Sequence, residues 1–197
     1  MKILHISDTH NLHRELTNLP EADVIVHSGD VSFAGTESEV FDFANWFCDL
    51  PYKHKIFIAG NHDNLLYESK IEGLDDNVHF LQNEQIVIDG VKFYGVPLFM
   101  EYYISGEDER MVANIPADTN VLITHQPPYG ILDYDEGVHH GNKYLLQKVL
   151  DIKPVAHLFG HIHKANGIIR QHGIVFANTS LVSYEEGLKF EPRIITI

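Results

Sequence analysis

An α/β fold of mixed, α+β character is predicted, with two β-sheets rather than one. Three observations predict it. Short apolar runs at 2–6, 23–27, 56–59, 120–124 and 155–159 read as strands buried on both faces, the pattern of a parallel sheet. Helical periodicity at 36–50 and 142–151 falls between them. Residues 85–88 and 91–96 alternate around Asp89-Gly90, a hairpin signal whose antiparallel strands imply a second sheet.

In chain order, residues 2–6 form the first strand and lead into Ser7-Asp8-Thr9-His10. Ser7 or Asp8 can cap a helix over 11–18, with His13 assigned to the surface. Asp8 and His10, two residues apart, can also point the same way from an extended segment. The second strand, 23–27, ends in Ser28-Gly29-Asp30, and His27 inside it reads as a core histidine. The helix over 36–50 places Val40, Phe41, Ala44, Phe47 and Cys48 inward, with Thr36 or Ser38 as cap and Pro51 as its stop. The third strand runs into Gly60-Asn61-His62-Asp63, and a turn or short helix reaches residue 72. A short strand at 78–81 and the hairpin follow. Residues 97–117 carry Phe99, Met100, Tyr102 and Tyr103 without a clear period and read as an aromatic-rich loop before a charged helix over 107–114. The strand at 120–124 is followed at once by His125, and Pro127-Pro128 keeps the chain extended. A loop over 129–141 precedes the helix at 142–151, whose inward residues are Leu145, Leu146, Val149 and Leu150. The fifth run, 155–159, ends in Gly160-His161-Ile162-His163. Stretches 167–170, 174–178 and 193–197 read as antiparallel strands closing a sheet.

The length of 197 residues suits one domain over 1–197 with a sizeable core. No apolar run approaches the ~20 residues of a membrane span. The chain opens directly on strand sequence without a signal-peptide pattern. Cys48 is the one cysteine, so an intrachain disulfide is excluded and a reducing, cytoplasmic setting fits. Cys48 itself reads as a small buried hydrophobe. The formal net charge of −14 argues against a broad nucleic-acid surface. The 14 histidines equal the Lys plus Arg total, an unusual weighting toward imidazole.

The five apolar runs end in Asp8/His10, Asp30, Asn61/His62, His125 and His161/His163. Any one of these has a plain alternative as turn chemistry. Together they would converge on one sheet edge, the place where open α/β sheets bind ligands. Carboxylate, amide and imidazole without thiolate suit Mn, Fe or Zn in a catalytic site. Seven ligand-type residues, Asp8, His10, Asp30, Asn61, His125, His161 and His163, suit two ions better than one, with Asp30 on a central strand as the bridge. Two divalent ions against two carboxylates leave a net positive centre in an acidic chain, able to draw a phosphate anion.

Asp8-Thr9-His10, Gly29-Asp30, Gly60-Asn61-His62-Asp63, His125 and Gly160-His161-Ile162-His163, in that order, resemble the five-block signature of the calcineurin-like metallophosphoesterases. His27-Ser28-Gly29-Asp30, Ile123-Thr124-His125-Gln126-Pro127-Pro128 and the last block resemble its small phosphodiesterase branch, which includes the brain metallophosphoesterase-domain proteins. The resemblance implies a four-layer α/β/β/α sandwich with two mixed sheets. It implies that Asp8, His10, Asp30 and His163 hold one divalent ion and Asp30, Asn61, His125 and His161 another, with Mn²⁺ foremost and Fe or Zn as alternatives. It implies His62 as the catalytic proton donor in hydrolysis of small-molecule phosphodiesters or phosphomonoesters by activated water. The competing readings are a regulatory or binding protein with a residual metal centre, and a nuclease of the same superfamily. One position departs from the pattern: Phe33 stands where many members carry an aspartate that orients the catalytic histidine, leaving the partner of His62 open.

Overall fold

The computed structural model describes residues 1–183 and 185–197, without the side chains of Met100 and Tyr103. In chain order come β1 (Lys2–Ile6), β2 (Val24–His27), α1 (Glu37–Asp49), β3 (His54–Phe57), β4 (Val78–Phe80), β5 (Glu84–Ile88), β6 (Val91–Val96), α2 (Met100–Ser105) and α3 (Glu107–Ala113). Then follow β7 (Val121–Thr124), β8 (Tyr134–Asp135), β9 (Val138–His139), α4 (Lys143–Ile152), β10 (Ala156–Phe159), β11 (Gly167–Gln171), β12 (Ile174–Asn178), β13 (Val182–Ser183), β14 (Gly187–Leu188) and β15 (Arg193–Thr196).

Two mixed sheets result. The first has the order β15-β1-β2-β3-β4, parallel except for β15 against β1. The second has the order β11-β12-β10-β7-β6-β5, parallel in its centre and antiparallel at both edges. Alternation along each strand sorts the side chains. Ile3, Val24, Val26 and Ile56 share an inner core with Phe93, Val121, Leu158 and Ala177, which glues sheet to sheet. Leu4, Ile25, Phe57, Leu122, Phe159 and Phe176 belong to the outer core with the helices. Phe43 and Phe47 of α1 meet Phe57 edge-on at 5.5 and 5.7 Å. The four layers are therefore α/β/β/α. Thr36, one of the two candidate caps, closes a capping box with Glu39 at the start of α1. Among the described residues, no helix is long and apolar enough to cross a membrane.

Several local expectations are corrected. Residues 11–18 hold only a 3₁₀ turn at His13–Glu15 instead of a helix. Asp8, His10 and Asn11 have φ of 51°, 41° and 69°, which a helix start cannot accommodate, and the Asp8 carboxylate faces inward rather than capping. His13 is buried, edge-on to Phe43, and pairs with Asp42 at 3.1 Å. Phe41 is 52% exposed, because the inward stripe of α1 is Val40, Phe43, Ala44, Trp46 and Phe47. The segment after residue 97 is helical from Met100, and Phe99 and Tyr102 pack on Tyr67 at 5.3 and 5.2 Å. The expectation for the Met100 and Tyr103 side chains lies outside the described residues. β12 is antiparallel only to β11 and runs parallel to β10, while β15 closes the other sheet. Cys48 is half-buried against the core.

Three of the fully buried histidines lie within strands. His5 bridges the Ser28 and Thr179 hydroxyls at 2.8 Å each, and His27 meets Thr9 Oγ1 at 3.0 Å. The Thr124 hydroxyl donates to the Gln126 carbonyl, so its oxygen accepts from His157 Nε2 at 2.9 Å. Burial pushes each of the three down to about 3. Unfolding restores an ordinary histidine near 6.5, so between about pH 3 and 6.5 the unfolded chain binds more protons. Stability of the metal-free chain should therefore fall as pH drops from 6.5 toward 4, with part of the fall offset by Asp63, which burial raises to about 6 so that the folded chain takes up a proton there. Urea unfolding across that range checks this, and His157→Gln should make the dependence shallower.

Candidate metal centre

The C-terminal ends of the central parallel strands supply the site. β1 delivers Asp8 and His10, β2 Asp30, β3 Asn61 and His62, β7 His125, and β10 His161 and His163. Asp8, His10, Asp30, His125 and His163 are buried, while Asn61, His62 and His161 are half-buried. His163 Nε2 lies 3.1 Å from Asp8 Oδ1 and 3.3 Å from His10 Nε2. His10 Nε2 is 3.7 Å from Asp30 Oδ2. His125 Nε2 is 3.2 Å from Asp30 Oδ2 and 3.1 Å from Asn61 Oδ1. Asp8/His10/His163, His10/Asp30/His62 and Asp30/His125/His161 each bring one ligand-type atom per residue within 4.8 Å of the others. All eight residues singled out in the sequence thus meet in one place, with Asp30 shared by two of the three groups. Carboxylate and imidazole donors at this spacing could hold a divalent ion.

The supporting contacts fix which atoms face the centre. His125 Nδ1 donates to the Ser28 carbonyl at 2.9 Å and His10 Nδ1 to the Ser32 carbonyl at 3.1 Å. Each ring therefore turns Nε2 inward, the usual outer-shell arrangement of a ligating histidine. Asp8 accepts the Ser180 hydroxyl at 2.9 Å and the His161 amide at 3.0 Å. Asp30 accepts the His62 amide at 2.9 Å. Asp8, His10, Asp30 and His161 all have positive φ, a strained choice for residues with a Cβ, held in place by these bonds. Gly160 and Gly60 make the close approaches possible: a Cβ on Gly160 would collide with Asp8 and Ser7, and one on Gly60 with Asp30.

His62 and its neighbour divide two tasks. His62 Nδ1 donates to the Phe33 carbonyl at 2.7 Å, which answers the question left open by the missing aspartate: a main-chain oxygen orients the ring. The His62 and His10 rings sit edge-on, 4.7 Å apart. Asp63, adjacent in sequence, points the other way. It is buried and accepts from the Gly60, Val31 and Ser32 amides and the Ser32 hydroxyl, at 2.6 to 3.2 Å. Asp63 thus ties the Asp30 loop to the Asn61 loop. Sequence reasoning placed Asp63 in the third block without a role and passed over Ser180. Thr179-Ser180 follows β12 at once, as the ligand blocks follow their strands, and that signal was available.

A cleft of about 560 Å³ opens beside the centre, lined by His161, His163, His140, Lys164, Lys189 and Phe190 among others. Lys164 is held by Asp135 and Lys189 by Glu186, at 3.0 and 2.6 Å.

Electrostatics bind the centre together. Burial opposes ionisation of both carboxylates, yet the hydrogen bond from His163 holds Asp8 well below the usual carboxylate range, and His125 holds Asp30 below it. Burial works against a charge on His125 too, but the Asp30 and Asp8 carboxylates push it up to about 9. Burial and the neighbouring His125 bring His161 down to about 4. A cation taken by His125 Nε2 would displace the proton there. Metal affinity should therefore rise with pH up to about 9 and level off above it, with proton release near neutrality. Calorimetry of Mn²⁺ binding in buffers of different ionisation enthalpy measures that release.

Comparison with known proteins agrees with the fold. Residues 1–165 match the family model of the calcineurin-like phosphoesterases. The whole chain aligns with a UPF0046 protein of Caenorhabditis elegans at 31% identity, covering 75% of that protein. Human metallophosphoesterase domain-containing protein 1 aligns with 91% of the chain at 30% identity, over 66% of its own length. Among solved structures, TT1561 of Thermus thermophilus superposes with a TM-score of 0.64 at 13% identity, covering 92% of this chain and 91% of that one, a likeness of fold. A family match over most of the chain, joined to Asp and His side chains gathered at the strand ends, places it: the chain belongs to the calcineurin-like phosphoesterase family.

Proposed function

We propose that this chain hydrolyses phosphoesters of small molecules with two divalent transition-metal ions, Mn²⁺ foremost. The observation that carries the reading is Asp30, a buried carboxylate set between His10 and His125 with a ligand-type cluster on either side. Asp8, His10, Asp30 and His163 would hold one ion, and Asp30, Asn61, His125 and His161 the other. Such a pair, when bound, supplies Lewis acidity toward phosphate oxygens and lowers the pKa of water. The chain's own residues do the rest. Asp8 and Asp30 return two negative charges, so the loaded centre stays positive and attracts an anion in spite of the acidic chain. His62 stands beside His10 at the half-exposed rim, its ring fixed by the Phe33 carbonyl, where it can give a proton to the leaving oxygen. In the net reaction the water oxygen bonds to phosphorus. The ester P–O bond breaks with its electron pair, and the departing oxygen takes the His62 proton. The proton surrendered by water replaces it through solvent.

Every ligand-type residue of the pattern is present, which favours an enzyme over a regulatory protein with a residual centre. The net charge of −14 disfavours a nuclease.

Metal analysis and release of phosphate from mono- and diesters test the reading. The loaded chain should carry two ions and turn over. Asp30→Asn should lose metal and orders of magnitude in rate, since one substitution strips charge from both proposed ions. His62→Ala should keep both ions and lose ~10²–10⁴-fold on esters with poor leaving groups, with a smaller loss for nitrophenolate, which needs little protonation. A chain that binds one ion at most overturns the dinuclear reading. Equal losses across leaving groups in His62→Ala would make the histidine a binding residue instead.

A further inference from the structure

We infer that the Phe33 side chain is a specificity-determining platform that stacks a planar ring on the leaving alcohol of the substrate. This rests on the phosphoesterase reading and deepens it. Phe33 contributes two separate things. Its carbonyl is committed to His62 Nδ1 at 2.7 Å, which fixes the backbone beside the centre. Its ring is not needed for that bond and is 58% exposed, one of the most exposed large apolar side chains in the protein. The ring lies 5.9 Å from that of His62, tilted at 33°, and 6.1 Å from that of His10. An apolar ring left in water at this spot gains most by being covered, and what arrives here is the group attached to the oxygen that His62 protonates. The cleft is lined by His161 and His163 and not by Phe33, His62 or His10, with the His10 ring 5.2 Å from that of His163. A substituent lodged in the cleft therefore does not compete with a ring on Phe33. The surface offered is uncharged and flat, so it selects an aromatic or heterocyclic alcohol over a short alkyl or a charged one.

The test compares Mn²⁺-loaded wild type, Phe33→Ala and Phe33→Tyr on methyl phenyl phosphate and methyl trifluoroethyl phosphate, which share one arm and differ in whether the leaving alcohol carries a ring. Metal content is measured on each variant. Phe33→Ala should keep both ions and lose roughly 5- to 100-fold in kcat/KM on the phenyl ester, the span of stacking on an aromatic side chain, with the trifluoroethyl ester changed little. Phe33→Tyr should restore the preference. Binding of phenylphosphonate and methylphosphonate, measured by calorimetry, should show the same loss of ring selectivity in Phe33→Ala. Equal losses on both esters would mean that the side chain acts by holding His62, and the platform is overturned. Unchanged kinetics would overturn it as well. If loaded wild type cleaves neither ester, the hydrolase reading falls by itself. The phosphonates then decide the platform: ring selectivity lost in Phe33→Ala sustains it, and no selectivity to lose refutes it.

Discussion

Asp8 and Asp30 sit at the ends of the adjacent parallel strands β1 and β2, both withdrawn from water. Burying a carboxylate is expensive unless it is paired and hydrogen-bonded, and burying two as neighbours compounds the cost. Much of the surrounding architecture answers that cost. Backbone amides of His161 and His62 and the Ser180 hydroxyl donate to the two groups. His163 and His125 stand against them at 3.1 and 3.2 Å. Several of the residues that reach in do so from left-handed backbone, and two glycines are spared a side chain so that the strands can close up. A fold that tolerates such an arrangement is poised to take positive charge, and divalent cations are the compact way to supply it.

Histidine serves on two levels in this molecule, and position along the strand separates them. His5, His27 and His157 lie within strands, where burial keeps them neutral and each meets at least one hydroxyl; the Gly29 amide donates to the second nitrogen of His27, and Nδ1 of His157 has no partner among the described residues. His125, His161 and His163 follow strand ends, where the chain turns and the rings converge. β10 shows both within a few residues: His157 braces Thr124 from inside the sheet, while His161 and His163 emerge past Gly160. The brace matters for the site, since Thr124 precedes His125 directly. A neutral layer of polar ties beneath a charged centre resists the pull of two carboxylates without adding charge of its own.

Much of this was legible in the sequence because the strands are nearly continuous apolar runs and the site residues follow them at once. Periodicity and turn chemistry are local, and they located β1, β2, β7, β10 and the β5–β6 hairpin closely. What failed depended on contacts distant in sequence. Ser7 and Asp8 look like helix caps until Ser180 and His161, from the far end of the chain, claim Asp8. Phe41 looks inward until the neighbouring Phe43 takes the place against Phe57. His13 looks exposed because its partner Asp42 lies on another element. β12 could not be read as parallel to β10, because its sequence neighbour β11 offers the obvious antiparallel partner.

On the proposed reading, position 33 lets such a site change its preference without disturbing its centre. An aspartate there would tie side chain and catalytic geometry together, since the group that orients the histidine would also be the group that varies. Here the orienting oxygen belongs to the backbone, so it is the same for any residue that preserves the loop. Asp63 preserves that loop through amides on both sides of it, at Gly60 and at Val31 and Ser32, and needs nothing from the side chain at 33. Orientation of His62 and the character of the rim are thereby separated. The constraint on the proposed metal ligands stays severe, since each is enclosed by others, while the residue beside the proposed proton donor is free to be large, flat and apolar. Substrate choice can then be set at the rim by one side chain, on a centre whose geometry the buried carboxylates hold fixed.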